Sequence, residues 1–411
     1  MTQIIFYLII GIIVFDFLFE RLLDYLNTTR WSDTIPEKLK GIFSSEEYVK
    51  SQSYKKVNYR FEALTSSFSF LLILLMLIFK GFALVSNWSL DISENIIISS
   101  LIFFGIIGLA SDILNTPFSV YDTFVIEEKF GFNKTTPKTF ILDKLKGLLL
   151  TAILGGGVLS LIIFIWTKTG VYFWLWAWGL MTIISIFISL FYSSLIVPIF
   201  NKQTPLEEGE LKDAISGFAT KAGFKLKNIF VIDGSKRSTK ANAYFTGLGP
   251  KKRIVLYDTL INDLTTNEIV AVLAHEIGHY KKKHNISGLL SGIIQTGIMF
   301  FIFSLLISNP DLSKALGVDE PKFHLGLIAF GILYSPVSFF IGIGMNIFSR
   351  RHEYQADDFA VKYGMGENLI SGLKKLTSKN LSNLTPHPLY VFFHYSHPTL
   401  LQRINKIESS L

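Results

Sequence analysis

Two histidines around a glutamate, in "AVLAHEIGHYKKKHN" at residues 271–285, are the side chains in this sequence best spaced for chemistry. His275 and His279 stand four residues apart, so on a helix they share one face and suit a single zinc ion, with imidazole nitrogens at about 2.0–2.1 Å. Glu276 points to the adjoining face, where it reaches a water in the metal's open position. Zinc lowers the pKa of such a water to about 7, and the carboxylate takes its proton. The bland alternative is an amphipathic helix with two incidental histidines, and the motif favours zinc over it.

A catalytic zinc takes three protein ligands and keeps a fourth position open. With no cysteine in the chain, the third must be a nitrogen or oxygen donor. Downstream, "SRRHEYQADDFAVKYG" offers Glu353, with Asp357 one helical turn beyond it. Glu353 is expected to ligate the metal and Asp357 to hydrogen-bond the free nitrogen of a ligand histidine, fixing its tautomer; two acids facing solvent would show the same spacing. His352 points about 100° away from Glu353 on a helix, and His284 follows three lysines, so both read as surface residues.

The chain that must position these groups has a membrane composition. Half of its 411 residues are hydrophobic and 17% are charged, against roughly 25% charged in soluble proteins. The net charge of +7 is scattered between apolar runs and carries no nucleic-acid signature, which argues against a DNA or RNA partner. Runs long enough to cross a bilayer lie near 3–19, 63–85, 96–117, 147–166, 171–196, 286–307 and 324–347. The first lacks a positive leading region and a small-residue cleavage site, so it reads as a retained helix. Seven crossings put the termini on opposite sides. The segments 20–62, 118–146, 197–285 and 348–411 hold 35 of the 39 lysines and arginines, leaving only Lys80, Lys168, Lys314 and Lys322 on the other side. By the positive-inside rule the amino terminus lies outside and the tail is cytoplasmic.

The expected organisation is α-helical and multi-pass, with an α+β soluble part. Residues 1–196 carry the first five helices, 197–285 the first half of the soluble part, 286–347 the last two helices, and 348–411 the second half. Within the first half, 210–224 has helical spacing, while the β-rich runs beginning at 228, 241 and 253 suggest a small antiparallel sheet. Thr265 to Glu268 opens the histidine helix. His279 just precedes the sixth run and Glu353 just follows the seventh, so the metal would sit within roughly 10 Å of the apolar core. Asp16 and Asp112, inside apolar runs, either face a polar interior or reach the headgroups.

"HEIGH" and "EYQAD" in this order, with "VIEEKFGFNKTTPKTFILDKLKG" at 125–147, "IVPIFNKQTPLEEGEL" at 196–211, "NAYFTGLGPKKRIVLYDTL" at 242–260 and "HYSHPTLLQRI" at 394–404, resemble the CAAX prenyl protease 1 family over nearly the whole chain. The resemblance implies seven transmembrane helices around a large chamber, closed on the cytoplasmic side by a zincin-type protease domain. It implies one Zn2+ held by His275, His279 and Glu353, with Glu276 as catalytic base and Asp357 in support. It also implies that Asn242 lies on the strand that aligns substrate, and that His397 and Arg403 stabilise the oxyanion. Read from residues alone, Asn242 suits a turn, and for His397 a helix end and for Arg403 a lipid phosphate weigh equally with the oxyanion role; His394 and His387 read as surface and loop.

The expected activity is hydrolysis of peptide bonds in lipid-anchored or transmembrane protein substrates at the membrane lipid surface, with removal of the C-terminal CaaX tripeptide from prenylated proteins as the leading case. A quality-control protease indifferent to prenylation is the enzymatic alternative, and a lipid transporter or scaffold with a structural zinc is the non-enzymatic one. The ending "KIESSL" has no ER retrieval signal. Both the bacterial inner membrane and the endoplasmic reticulum suit the reading.

Overall fold

The computed structural model describes residues 1–32, 34, 35, 37, 40–224, 229–246 and 253–411; Asn228 and residues 247–252 of the 242–260 motif lie outside these. The chain opens with α1 (Thr2–Thr28), α2 (Ser45–Ile78), the short α3 (Gly81–Ile92) and α4 (Ile96–Tyr121). There follow α5 (Pro137–Leu150), α6 (Gly156–Thr169) and α7 (Phe173–Phe191). Among the described residues six helical stretches are long and apolar enough to cross a membrane, with Pro137–Phe200 as one 64-residue stretch. That stretch reverses at Gly170, whose φ of 52° falls in the left-handed region, and α6 and α7 pack against each other.

Two runs have different bounds from those expected. The 63–85 run divides, because Lys80 adopts φ 54° and ends α2 before α3 begins. Gly81 fits there because a Cβ would lie 2.5 Å from the Met76 sulfur. The 324–347 run extends through α11 (Phe323–Lys362), a single helix of 40 residues. At 1.5 Å per residue it is roughly 60 Å long, about twice the hydrocarbon thickness. In the most apolar windows of α1, α2 and Pro137–Phe200 only 6% of positions are buried, so few of their side chains are fully enclosed by the rest of the chain. Asp16 accepts a hydrogen bond from Ser335 Oγ (3.0 Å), and Asp112 pairs with Lys144 (2.7 Å).

Between the membrane helices lies a four-stranded sheet of β1 (Gln203–Pro205), β2 (Ile229–Ile232), β3 (Ala243–Thr246) and β4 (Arg253–Tyr257), in the order β1-β2-β4-β3. The sheet is mixed where an antiparallel one was expected. β1–β2 and β3–β4 are antiparallel, but β2 and β4 run parallel, with Ile229 opposite Ile254. The reason is topological: β4 returns on the inside of its pair with β3, alongside β2, and leaves β3 as an edge. Ile254 and Leu256 of β4 join Ile215 and Phe218 of α8 (Glu210–Lys221) and Ala271, Ala274 and Ile277 of α9 (Thr266–Lys281) in one buried core. That packing fixes the histidine helix on the sheet. The chain then continues through α10 (His284–Leu306), α11, α12 (Gly366–Lys379), α13 (Pro388–His394) and α14 (Leu400–Glu408).

Candidate active site

α9 is pinned at its start and in its middle. Thr265 Oγ1 accepts from the Glu268 N–H (3.4 Å) while Glu268 Oε2 accepts from the Thr265 N–H (2.8 Å), a reciprocal cap. Ser371 Oγ and Lys375 Nζ of α12 donate to the same carboxylate at 2.6 and 2.7 Å. Burial alone would raise the Glu268 pKa; these donors hold it down at about 2. Further along, Gly278 meets α11, where a Cβ would lie 3.0 Å from Phe359 Cβ and 3.1 Å from Ala356 Cα. The glycine of "HEIGH", to which spacing assigned no role, lets the two helix backbones close together. A mid-helix glycine costs about 1 kcal/mol relative to alanine, which was the one available signal of such an approach.

α9 contributes His275 and His279 and α11 contributes Glu353, one on each side of that close contact. The two Nε2 atoms lie 3.1 Å apart. Glu353 Oε1 is 3.2 Å from His279 Nε2, and Glu353 Oε2 is 3.4 Å from His275 Nε2. Donors held tetrahedrally at about 2.05 Å from one ion are separated by about 3.3 Å; each histidine faces its own Glu353 oxygen at about that spacing, and one donor atom from each residue lies within 4.8 Å of the others, so the group is of metal-site size. Glu353 Oε2 is buried without a hydrogen-bond partner, as a carboxylate oxygen would be if it were reserved for a metal. Among the described residues the metal-ligand set has three members.

Each histidine is oriented from behind. Asp357, fully buried, accepts from His275 Nδ1 at 2.8 Å, which leaves the Nε2 lone pair facing the triangle. Arg403, itself buried, donates to Asp357 through Nε (2.9 Å) and one terminal nitrogen (2.6 Å); its other terminal nitrogen lies 3.6 Å from Glu353. His279 Nδ1 lies 3.0 Å from His284 Nδ1, and His284 Nε2 lies 2.9 Å from Gln355 Oε1. With His279 Nε2 turned to the metal, Nδ1–H donates to His284 and His284 Nε2–H donates to Gln355, so one set of tautomers satisfies both of these contacts. The surface reading of His284 is therefore corrected: it is buried and stacked on His352 with centroids 3.8 Å apart. Lys283, with φ 61°, turns the chain between α9 and α10 and brings His284 under the ligand.

A cleft of about 380 Å³ opens over the triangle, lined among others by Asn242, Glu276, His397 and Arg403. Glu276 is half-buried and, among the described residues, makes no hydrogen bond or ion pair. The His397 side chain is 65% exposed, with Nε2 3.3 Å from Glu353 Oε1 and Nδ1 3.0 Å from Ser396 Oγ. Asn242 precedes β3, its side chain accepting from the Ala243 N–H at 2.8 Å and its carbonyl from the Tyr257 N–H at 3.1 Å. His394 pairs with Glu20 (3.2 Å) and His387 caps α13, so neither belongs to the triangle.

A three-sided ligand set with a free carboxylate beside it, carried in part by a membrane helix, defines a membrane metallopeptidase. Two family models divide the chain between them: "CAAX prenyl protease N-terminal, five membrane helices" matches residues 24–202, and "Peptidase family M48" matches residues 205–411. A CAAX prenyl protease 1 homolog of Arabidopsis thaliana is 38% identical, over 97% of this chain and 96% of that one. The CAAX prenyl protease 1 of Saccharomyces cerevisiae is 36% identical, over 98% and 94%. The crystal structure of S. mikatae Ste24p superposes with a TM-score of 0.92 at 36% identity, covering 98% of each chain. The chain belongs to the CAAX prenyl protease 1 family, within the M48 peptidases. It is a multi-pass membrane metalloendopeptidase.

Proposed function

We propose that the chain is a zinc endopeptidase that removes the last three residues of prenylated CaaX proteins. The observation that carries this reading is the His275–His279–Glu353 triangle of metal-ion size beside an uncommitted Glu276. Bound there, zinc supplies a water of pKa about 7 and polarises the scissile carbonyl. Glu276 takes a proton from the attacking water and passes it to the leaving amine. His397, exposed in the cleft, donates to the carbonyl oxygen as charge develops on it. Asp357 fixes the tautomer of His275, and Arg403, with Nε and one terminal nitrogen on that carboxylate, acts as a positioning residue. Asn242 and the free edge of β3 align an extended peptide by strand addition.

The membrane part is read as seven crossings, with Pro137–Phe200 supplying two, around a hollow chamber. The low burial of α1, α2 and Pro137–Phe200 supports this, since a solid bundle would bury a face of each. The distribution of lysines and arginines supports a metal site on the cytoplasmic side. A structural zinc in a transporter or scaffold would want a fourth protein ligand, and Glu276 offers a base instead.

The test is Glu276→Gln in the full-length protein, with zinc content measured beside cleavage of an S-farnesylated peptide and of an unmodified membrane protein. The expected result is one zinc per chain with cleavage reduced about 10²- to 10⁴-fold. Full cleavage by the metal-loaded variant would refute the mechanism. A wild type that cuts only the unmodified substrate would refute the CaaX assignment in favour of membrane-protein turnover.

A further inference from the structure

A second cavity of about 470 Å³ adjoins the catalytic cleft, and Asn380 lines both. The wall between them is a pairing of side chain and backbone: Asn380 Oδ1 accepts from the Ala241 N–H (3.2 Å) and Asn380 Nδ2 donates to the Ala241 carbonyl (3.4 Å). Ala241, Asn242 and Ala243 line the catalytic cleft, while Lys240, the next residue back, lines the second cavity with Tyr54, Lys55, Asn58 and Asn383. The backbone leading into edge strand β3 thus passes from one space to the other.

That continuity gives a bound peptide a direction. A strand added antiparallel to β3, the more stable pairing, runs from Ala243 towards Lys240, so its carboxyl end leaves the catalytic cleft for the second cavity. Three residues beyond the scissile bond span about 10 Å at about 3.4 Å each, enough to pass Ala241 and reach the level of Lys240 and Lys55. A substrate cut three residues from its end presents a free carboxylate there.

The cations at this end suit it. Lys55 Nζ donates to the neutral Asn383 Oδ1 at 2.8 Å and, among the described residues, has no ion pair. Lys240 is already committed to Glu127 (2.8 Å) and the Tyr54 hydroxyl (3.0 Å). A partly buried ammonium whose counter-charge the protein does not supply marks a place for a ligand anion. The two acids of the cavity lie elsewhere: Glu62 stands about 10 Å further along α2, and Asp24 is paired with Arg21.

Resting on the endopeptidase reading above, we propose that Lys55 binds the C-terminal α-carboxylate of the substrate, so that the enzyme measures its tripeptide from the chain end. The experiment compares one S-farnesylated peptide as free acid and as C-terminal amide, with the wild type, Lys55→Met and Lys55→Arg in full-length, zinc-loaded protein. The expected wild type prefers the acid about tenfold or more in kcat/KM, mostly through KM, as a charge-assisted hydrogen bond would give. Lys55→Met treats the two peptides alike at unchanged zinc content, and Lys55→Arg keeps a preference for the acid. The released tripeptide should also inhibit the wild type more strongly as acid than as amide, a readout that needs no variant. Equal cleavage of acid and amide by the wild type, or an acid preference that survives Lys55→Met, overturns the carboxylate site alone. Cleavage of neither peptide by the wild type overturns it together with the endopeptidase reading.

Discussion

Replacing Gly278 by alanine sets two effects of opposite sign against each other. On helix propensity alone the change stabilises α9 by about 1 kcal/mol. The added methyl, however, meets backbone on the facing helix, at 3.1 Å from Ala356 Cα and 3.2 Å from Ala356 O. Ordinary contact needs about 3.5–4.0 Å, so α9 and α11 must part by roughly half an ångström. Overpacking of this kind costs about 1–3 kcal/mol, which outweighs the propensity gain. The metal triangle spans the same contact, with His275 and His279 on one helix and Glu353 on the other, and metal sites tolerate about 0.2 Å. The expected outcome for Gly278→Ala is a protein that still folds, melts a few degrees lower, and binds zinc about 10- to 100-fold more weakly. Competition with a chromogenic chelator measures the affinity, and thermal unfolding with and without chelator separates the metal contribution from the packing cost. A variant that binds zinc as tightly as the wild type and melts higher would show that propensity wins and the helices are not in forced contact.

Other expectations follow from the same geometry. His284→Ala should weaken zinc binding about tenfold by removing the acceptor for His279 Nδ1–H, whereas His284→Asn, which keeps an acceptor, should recover part of the loss in the same chelator assay. Arg403→Met should destabilise the fold by about 3–5 kcal/mol in denaturant titrations, because Asp357 would stay buried with one partner fewer. For Glu268 the folded pKa of about 2 lies below the unfolded value, so its contribution is complete above about pH 4.5 and is lost as pH falls towards 2. That contribution is on the order of 3 kcal/mol at most, and the melting temperatures of wild type and Glu268→Gln should converge across that window.

Much of the site was legible because its parts are local. The four-residue spacing of His275 and His279, and of Glu353 and Asp357, is a property of one helix turn, and hydropathy marks the helices that carry them. What escaped the sequence is what depends on chain reversals and distant partners. His284 looked like part of a solvated basic end, because nothing in "KKKHN" announces that Lys283 takes a left-handed turn and folds the histidine inwards. Arg403 meets Asp357 only after α14 packs beside α11, so its commitment to that carboxylate could not be read from either segment. Lys80 and Gly81 stand inside an otherwise apolar run, and only the left-handed backbone at Lys80 turns that pair into a helix break. The parallel pairing of β2 with β4 depends on which side of β3 the chain returns, which alternation along a strand does not encode.

The continuity of α11 also has a mechanical consequence. Glu353 stands on the same helix as an apolar segment that begins at Phe323, with Pro336 between them, while both ligand histidines stand on α9, anchored to the sheet. A change in the tilt of that segment, such as a bilayer thicker or thinner than its apolar length would impose, reaches the carboxylate through Pro336, the hinge within the helix, and the turns that follow it. The geometry of the triangle, and with it the hold on the metal, becomes a function of the lipid around the protein.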